Sequence, residues 1–443
     1  MRITVIGAAK SGLAAAHLAK RRGHDVFVTD AKPASVAASI IAELDAAGIA
    51  HEFGGHTERA LQADLIIASP GVPPSNLVRT SARERGIELI GELEWACRHL
   101  HNTIVAITGT NGKTTTTALT AHILQHAGRK AVAAGNIGTP LSALVDTIDD
   151  DTIIVAEVSS YQMDTSVSFA PRVSILLNIT PDHLTYHGSF EQYVEAKWKI
   201  CRHQGPNDIV ILNADDASAA GAAAVTQGTV QMISIRSEQH GAFVRGDEII
   251  LRVGGEHKEE LLMAVRKIGV PGVHNVYNAM AAALAARALE VRNEDIRDAL
   301  HSFAGVEHRL EYIRTLKGAK YYNDSKATNI NAAWYALSSF DRPIVWIAGG
   351  RGDKNNYHEL DELVATNVHA IVCIGEEADA IFNHWCTRKR CVKATSLDEA
   401  VRTAAELADP DDVVLFSPAC KSFDMFDNFE QRGAAFKTLV GKL

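Results

Sequence analysis

The segment Ile107-Thr108-Gly109-Thr110-Asn111-Gly112-Lys113-Thr114-Thr115 ends an apolar strand, turns through two glycines and opens a helix. That is the pattern of a phosphate-binding loop. Glycines let backbone N–H groups approach an anion, and the helix N-terminus adds partial positive charge. Lys113 reaches toward terminal phosphates, and the Thr114 hydroxyl is placed to hold Mg²⁺. The spacing departs from GxxxxGK[ST], because the position five before Gly112 is Ile107. A second glycine turn, Gly7-Ala8-Ala9-Lys10-Ser11-Gly12, resembles a dinucleotide fingerprint with Ala9 in place of the middle glycine. Asp30 falls where a ribose-binding acid is expected. Taken alone, this turn fits a nicotinamide cofactor, a nucleotide diphosphate or a purely structural bend.

Three strand-helix blocks must position these groups. The first contains strands Ile3–Ile6, Val26–Thr29, Leu65–Ala68 and Glu88–Ile90, with a helix over Ser11–Arg22. The second contains the phosphate loop, strand Ile153–Ala156 ending in Glu157, and strand Val173–Ile179 followed by Thr180-Pro181-Asp182-His183. Between them Ala133-Ala134-Gly135-Asn136-Ile137-Gly138 closes a short strand. The third ends its strands at Asn323-Asp324, Gly349-Gly350, Gly375 and Ser417-Pro418. Alternation of this kind predicts an α/β protein of three domains: a Rossmann-like N-terminal domain (1–91), a central phosphate-loop ATPase domain (92–305) and a C-terminal doubly wound domain (306–443). Ligands bind outside the carboxyl ends of parallel strands, so Gly109, Asn136, Glu157 and His183 are expected to converge there. Glu157 alone reads as a helix cap and His183 alone as a loop histidine; beside Lys113 and Thr114 they read as Mg²⁺ ligands and electrostatic stabilisers of phosphoryl transfer. Asn275 and Asn278, three apart at the head of an alanine-rich helix, fit either an adenine edge or a helix cap.

The remaining composition excludes several classes. A formal net charge of −9 without a long basic run disfavours nucleic acid. No apolar run approaches the ~20 residues that span a bilayer. Six cysteines without a CxxC pair argue against a disulfide framework or a thiolate metal site. Met1-Arg2-Ile3-Thr4-Val5-Ile6-Gly7 runs straight into a strand with no signal pattern, so a cytoplasmic location is expected.

The motifs Gly109–Thr114, Gly135-Asn136-Ile137-Gly138, Glu157-Val158-Ser159-Ser160-Tyr161-Gln162, His274-Asn275, His308-Arg309 and Asn323-Asp324-Ser325-Lys326-Ala327-Thr328-Asn329 resemble, in order, those of the Mur ligases. Ser417–Asp424 and Asn428–Gly433 resemble the branch that adds D-glutamate. The resemblance implies an ATP-dependent, peptide-bond-forming enzyme of cytoplasmic peptidoglycan synthesis. It implies UDP-N-acetylmuramoyl-L-alanine and D-glutamate as substrates, an acyl-phosphate intermediate, and a monomer without membrane or nucleic-acid partners. By the same resemblance, Gly109, Thr110, Asn111, Gly112, Lys113, Thr114, Thr115, Asn275, Asn278, Arg309 and Asp324 hold the nucleotide. Thr114, Glu157, His183 and a carbamylated Lys197 hold two Mg²⁺ ions, with Lys199 as the competing lysine. Lys113, Glu157, His183, Lys197 and Arg309 are the implied catalytic set. Lys10, Ser11, Asp30, Gly71 and Asn136 are assigned to the UDP-sugar, and Ser159 and Gln162 to its reactive end. Lys326, Thr328, Lys354, Ser422 and Phe429 are assigned to D-glutamate. Ala31 stands where a hydroxyl-bearing residue is expected for the uridine. The family also implies that the outer domains close over ATP. Three other readings remain: a folylpolyglutamate-synthase-like ligase, which has no separate N-terminal block, an NAD-dependent oxidoreductase built on Gly7 to Asp30, and a regulatory nucleotide-binding switch built on the phosphate loop, which would not need the third domain.

Overall fold

The computed structural model describes residues 1–254 and 258–443. Among them the strands form three sheets. The first holds β1 (Arg2–Ile6), β2 (Asp25–Asp30), β3 (Ala50–Phe53), β4 (Leu65–Ala68) and β5 (Glu88–Gly91) in the order β3-β2-β1-β4-β5, all parallel. The second holds β6 (Ile104–Thr108), β7 (Ala131–Gly135), β8 (Ile153–Glu157), β9 (Val173–Leu176), β10 (Ile209–Asn213), β11 (Thr229–Ser234), β12 (Gly241–Arg245), β13 (Glu248–Arg252) and β14 (Glu259–Ala264). Their order is β14-β13-β12-β11-β10-β9-β6-β8-β7, parallel from β7 to β12 and antiparallel across β12, β13 and β14. The third sheet, β15 (Glu311–Leu316), β16 (Ala319–Asn323), β17 (Ile344–Gly349), β18 (Val368–Ile374), β19 (Arg390–Lys393) and β20 (Val413–Phe416), runs β15-β16-β20-β17-β18-β19. Its pairs are parallel except β15 against β16.

The chain forms two compact units, residues 1–266 with 277–299, and residues 267–276 with 300–443. The first unit carries two sheets because they share apolar packing: one core cluster includes Ile3, Val5 and Leu18 of the N-terminal block together with Leu93, Trp95, Leu141, Ile154 and Leu176. In the second unit, helices cover both faces of the third sheet, around Trp346 and Trp385 on one side and Phe416 and Phe436 on the other. Central strands such as β6 and β8 are apolar runs buried on both faces, as parallel strands between helical layers require.

Register brings the chemical groups together. β6 lies between β8 and β9, pairing Ile107 with Glu157 and Thr108 with Leu176. The phosphate loop, Glu157 and the Leu177–His183 segment therefore leave adjacent strands at the same edge.

The N-terminal turn depends on a close approach. A Cβ at Gly12 would lie 1.8 Å from the Gly7 carbonyl oxygen and 2.5 Å from Ser69 Oγ, which itself donates to Gly7 O at 2.8 Å. Gly12→Ala is expected to destabilise the first unit by about 3 kcal/mol through this overlap with backbone. A urea midpoint equal to the parent's would mean that the helix Lys10–Arg21 can shift off the turn at little cost.

Candidate active site

Gly112 precedes the helix Lys113–His126 with φ 85, in the left-handed region, and a Cβ there would meet Asn278 Oδ1 at 2.6 Å. Glycine thus satisfies both a backbone and a packing requirement. Thr116 Oγ1 donates to the same Asn278 oxygen at 3.1 Å, so Asn278 is packed against the phosphate-loop helix. The loop is fixed from below. Thr110 Oγ1 donates to Thr180 O at 3.1 Å and accepts from Thr180 N at 3.0 Å, which leaves Tyr193 Oη as the donor in their 3.0 Å contact. Asn178 bonds both the N–H and the carbonyl of Asn111. Lys113 Nζ donates to Gly109 O and Thr110 O, both at 2.9 Å, which keeps the ammonium over the loop. Thr114 and Thr115 are buried in the first helical turn.

Glu157 is only 2% exposed. Its Oε1 accepts from Asn136 Nδ2 at 2.9 Å, while its Oε2 is buried without a hydrogen-bond partner among the described residues. A buried carboxylate oxygen lacking a donor is costly, and a divalent cation bound by oxygen ligands is a fitting complement. His183 sits at φ 53, with its ring centroid 4.9 Å from Tyr161 and 6.4 Å from Tyr193. Burial lowers its pKa; Asp182 opposes that shift, and Lys113 and Lys197 add to it. The shift favours the neutral imidazole, the form that binds metal.

Lys197, 1% exposed, donates from Nζ to Gly109 O at 2.8 Å and to Thr108 Oγ1 at 3.5 Å, and lies 4.8 Å from the Tyr193 ring centre. Burial drives its pKa well below the ordinary lysine value and Lys113 adds to this, against Asp182 and Glu157. Lys199 points elsewhere, donating to Asp164 O at 2.9 Å. Two positions along a helix separate the two ammonium groups completely.

A cavity of about 490 Å³ lies between the first two sheets, within the first unit. Lys10, Ser11, Asp30, Gly71, Asn136 and Gln162 all line it. Lys10 Nζ donates to Gly138 O at 2.5 Å across it. Asp30 also serves the turn, accepting from Ala8 N at 2.7 Å and from Lys32 N at 2.8 Å. Since Asn136 lines the cavity and bonds Glu157, the cavity wall connects directly to the candidate metal ligand. Ser159 is placed differently: it forms a capping box with Gln162 at the start of the helix Ser160–Asp164 and does not line the cavity.

In the second unit, Asp324 accepts from Ser417 Oγ at 2.8 Å and from Leu310 N at 3.2 Å. Burial pushes its carboxyl pKa up to about 6, with Arg309 the main opposing influence. Arg309 has a buried Nε without a partner among the described residues. Lys326 Nζ lies 5.5 Å from the Phe429 ring centre, and His308 packs on the same ring at 6.3 Å. Ser422 is buried, Thr328 half-buried and Lys354 exposed, the last at φ 58. Arg351, the other cation of that loop, pairs with Glu376 at 2.8 Å. Asn275 is buried and donates to Pro271 O at 2.5 Å.

Sequence reasoning passed over Tyr193 and Asn178, which brace the loop. Tyr193 carried one signal, its i, i+4 spacing to Lys197 on the helix Phe190–Arg202. Asn178 carried none, because its two bonds to Asn111 span 67 residues.

Three family models match in chain order: "Mur ligase MurD-like, N-terminal domain" over residues 1–91, "Mur ligase middle domain" over 107–286 and "Mur ligase, glutamate ligase domain" over 308–420. The chain belongs to the Mur ligase family. Within it, the chain is 46% identical to the UDP-N-acetylmuramoylalanine--D-glutamate ligase of Salinibacter ruber, over 100% of this chain and 98% of that one. The protein of the same name from Acidobacterium capsulatum is 44% identical over 99% and 96%. Among solved structures, UDP-N-acetylmuramate-alanine ligase MurC of Thermotoga maritima superimposes with a TM-score of 0.60 at 19% identity, covering 100% of this chain and 99% of that one, a likeness of fold.

Proposed function

We propose that the chain joins D-glutamate to UDP-N-acetylmuramoyl-L-alanine with cleavage of ATP to ADP and phosphate, in cytoplasmic synthesis of peptidoglycan precursors. The observation that carries the mechanism is the buried, unpartnered Glu157 Oε2 beside the phosphate loop, joined through Asn136 to the cavity. A carboxylate oxygen of the UDP-substrate attacks the γ-phosphorus of ATP, and the bond to the ADP oxygen breaks, leaving an acyl phosphate. The D-glutamate amine then attacks the acyl carbon, phosphate departs with the former P–O–C oxygen, and the amine gives up a proton. Two anions must approach each other in the first step, so positive charge at the transferring group is the main requirement. Lys113 supplies it from the loop.

Thr114, Glu157 and His183 are the residues that would hold Mg²⁺, which when bound neutralises phosphate charge and orients the oxygens. A neutral Lys197 amine is the form that adds to CO₂: a C–N bond forms, one proton leaves, and the amine becomes an anionic oxygen ligand suited to a second Mg²⁺. Lys10, Ser11, Asp30, Gly71, Asn136 and Gln162 contact the UDP-sugar, with Ser159 acting through Gln162. Asn275, Asn278, Arg309 and Asp324 serve the nucleotide. Lys326, Thr328, Lys354, Ser422 and Phe429 serve D-glutamate, whose two carboxylates call for cations and hydroxyl donors. The domains of this reading are 1–91, 92–305 and 306–443, and the protein acts as a monomer. No helix among the described residues is long and apolar enough to cross a membrane. The N-terminal model over residues 1–91 disfavours the folate-type reading, which has no use for that block.

The test is phosphate release from ATP and Mg²⁺ with UDP-N-acetylmuramoyl-L-alanine, comparing D-glutamate, L-glutamate, L-alanine and no amino acid, with product mass measured. Release that requires D-glutamate is expected. Equal release under all four conditions would remove the ligase assignment.

A further inference from the structure

Arg79 belongs to the helix Leu77–Glu84, is 6% exposed, and spends its guanidinium on three separate chain segments. Nη1 donates to the Val72 carbonyl at 2.8 Å and to Tyr186 Oη at 3.2 Å, and Nη2 donates to Asp164 Oδ2 at 2.7 Å. Tyr186 in turn donates to Asp164 Oδ2 at 3.4 Å, closing a three-membered ring of hydrogen bonds. Each segment leads to a different part of the candidate site. Val72 lines the cavity, bonds from its N–H to Ser69 O at 3.0 Å and packs over Gly7. Asp164 ends the short helix that follows Glu157 and carries Gln162 into the cavity. Tyr186 stands three residues beyond His183, and the Tyr161 ring lies between them, 4.4 Å from Tyr186 and 4.9 Å from His183.

A buried ion pair is weak support for stability, since removing both charges from water offsets most of their attraction. Arg79 is not fully satisfied either, as its Nε has no partner among the described residues. What the planar fork supplies is geometry, holding three acceptors at fixed angles in a way a lysine ammonium does not. Lys199 does not duplicate the contact, because it donates to the Asp164 backbone carbonyl rather than the carboxylate.

We propose that Arg79 is a positioning residue that holds the cavity wall, the Glu157-to-Gln162 arm and the His183 arm in register, so that a substrate seated in the cavity presents its reacting end to the metal-binding groups. This rests on reading the cavity as the UDP-substrate pocket. The experiment compares the full-length parent with Arg79→Lys and Tyr186→Phe, measuring kcat, the KM of each substrate, thermal midpoint, and calorimetric binding of UDP-N-acetylmuramoyl-L-alanine without ATP. Arg79→Lys is expected to lower kcat by ~10-fold, the lower end of the effect of groups bonded directly to a metal ligand, because Arg79 acts through Tyr186 and Asp164. It should weaken UDP-substrate binding several-fold while the KM for D-glutamate stays near the parent's. Tyr186→Phe, which keeps the Arg79–Asp164 pair, should lower kcat by a smaller factor with UDP-substrate binding retained. The double variant should be no slower than Arg79→Lys alone, because the two act as one unit.

A lower thermal midpoint with parental kcat and binding per folded molecule would reduce Arg79 to a structural ion pair and overturn the proposal. Should Arg79→Lys fail to fold, parental kcat in Tyr186→Phe would overturn it equally. A parent without D-glutamate-dependent turnover would count against the proposed function instead; the calorimetric comparison would then decide, with equal affinity for parent and Arg79→Lys overturning the positioning role.

Discussion

Lys197→Ala is expected to reduce turnover by ~10³-fold or more, the scale set by removing a group aimed at charge in the transition state. The protein should remain folded. Lys197 Nζ is bonded to the phosphate loop at Gly109 O, and burial together with Lys113 drives its pKa well below the ordinary lysine value. What is deleted is thus an amine beside the phosphate site, one whose neutral form would become an oxygen ligand by adding CO₂. The lost stem leaves a cavity that costs about 2 kcal/mol, so Lys197→Met, which keeps the volume, separates chemistry from stability. Both variants should be comparably inactive, and a short carboxylic acid such as acetate should restore part of the rate in Lys197→Ala, where there is room for it, more than in Lys197→Met. Added bicarbonate should restore little in either, because the amine that would capture CO₂ is gone. In the parent, ¹³C-bicarbonate should give a carbamate carbon signal that Lys197→Met lacks. Parental turnover in Lys197→Ala would dismiss the role altogether, and the structure offers Lys199 no path into it, since that side chain is committed to Asp164 O.

Much of this arrangement is legible in the sequence because its parts are local. Glycine turns, strand-ending acids and the Lys-Thr pair each occupy fewer than ten residues, and strand order then forces them to one edge. The five residues assigned to the UDP-sugar, and Gln162 assigned to its reactive end, line a single cavity. What is not legible depends on packing across long separations. The two units do not follow the three-block division, because apolar helices and strands of the first two blocks share a core and periodicity cannot reveal a shared partner. The strands Ala50–Phe53 and Glu311–Leu316 are partly exposed throughout and lack the apolar runs that mark central strands. The antiparallel extension β12 to β14 is made of short strands with charged ends. Ser159 shows another limit. Its spacing to Gln162 is a capping-box signature as much as a ligand motif, and the structure uses it as a cap. Arg79 carries no motif at all, and only the fold brings Val72, Asp164 and Tyr186 to it.

Glu157→Gln should move activity and stability in opposite directions. The substitution keeps the shape of the side chain and an oxygen for Asn136 Nδ2, but replaces the unpartnered Oε2 with an uncharged amide nitrogen. If the buried carboxylate exists to bind a cation, the metal-free parent holds a carboxylate oxygen without a donor at 2% exposure, and removing it relieves that penalty. The metal-free variant is therefore expected to melt at or above the temperature of the metal-free parent. Turnover should fall by ~10²- to 10³-fold through lost charge stabilisation, with saturation shifted to higher Mg²⁺. The stabilisation that Mg²⁺ and a nonhydrolysable nucleotide confer on the parent should shrink, since binding to the native state raises stability by RT ln(1 + [L]/Kd) and the variant raises Kd. A structural role for Glu157, pairing only with Asn136 and the neighbouring strand, demands the reverse: a lower midpoint without metal and an unchanged response to Mg²⁺. Thermal melts of both proteins with and without Mg²⁺ decide between the two before any substrate is added.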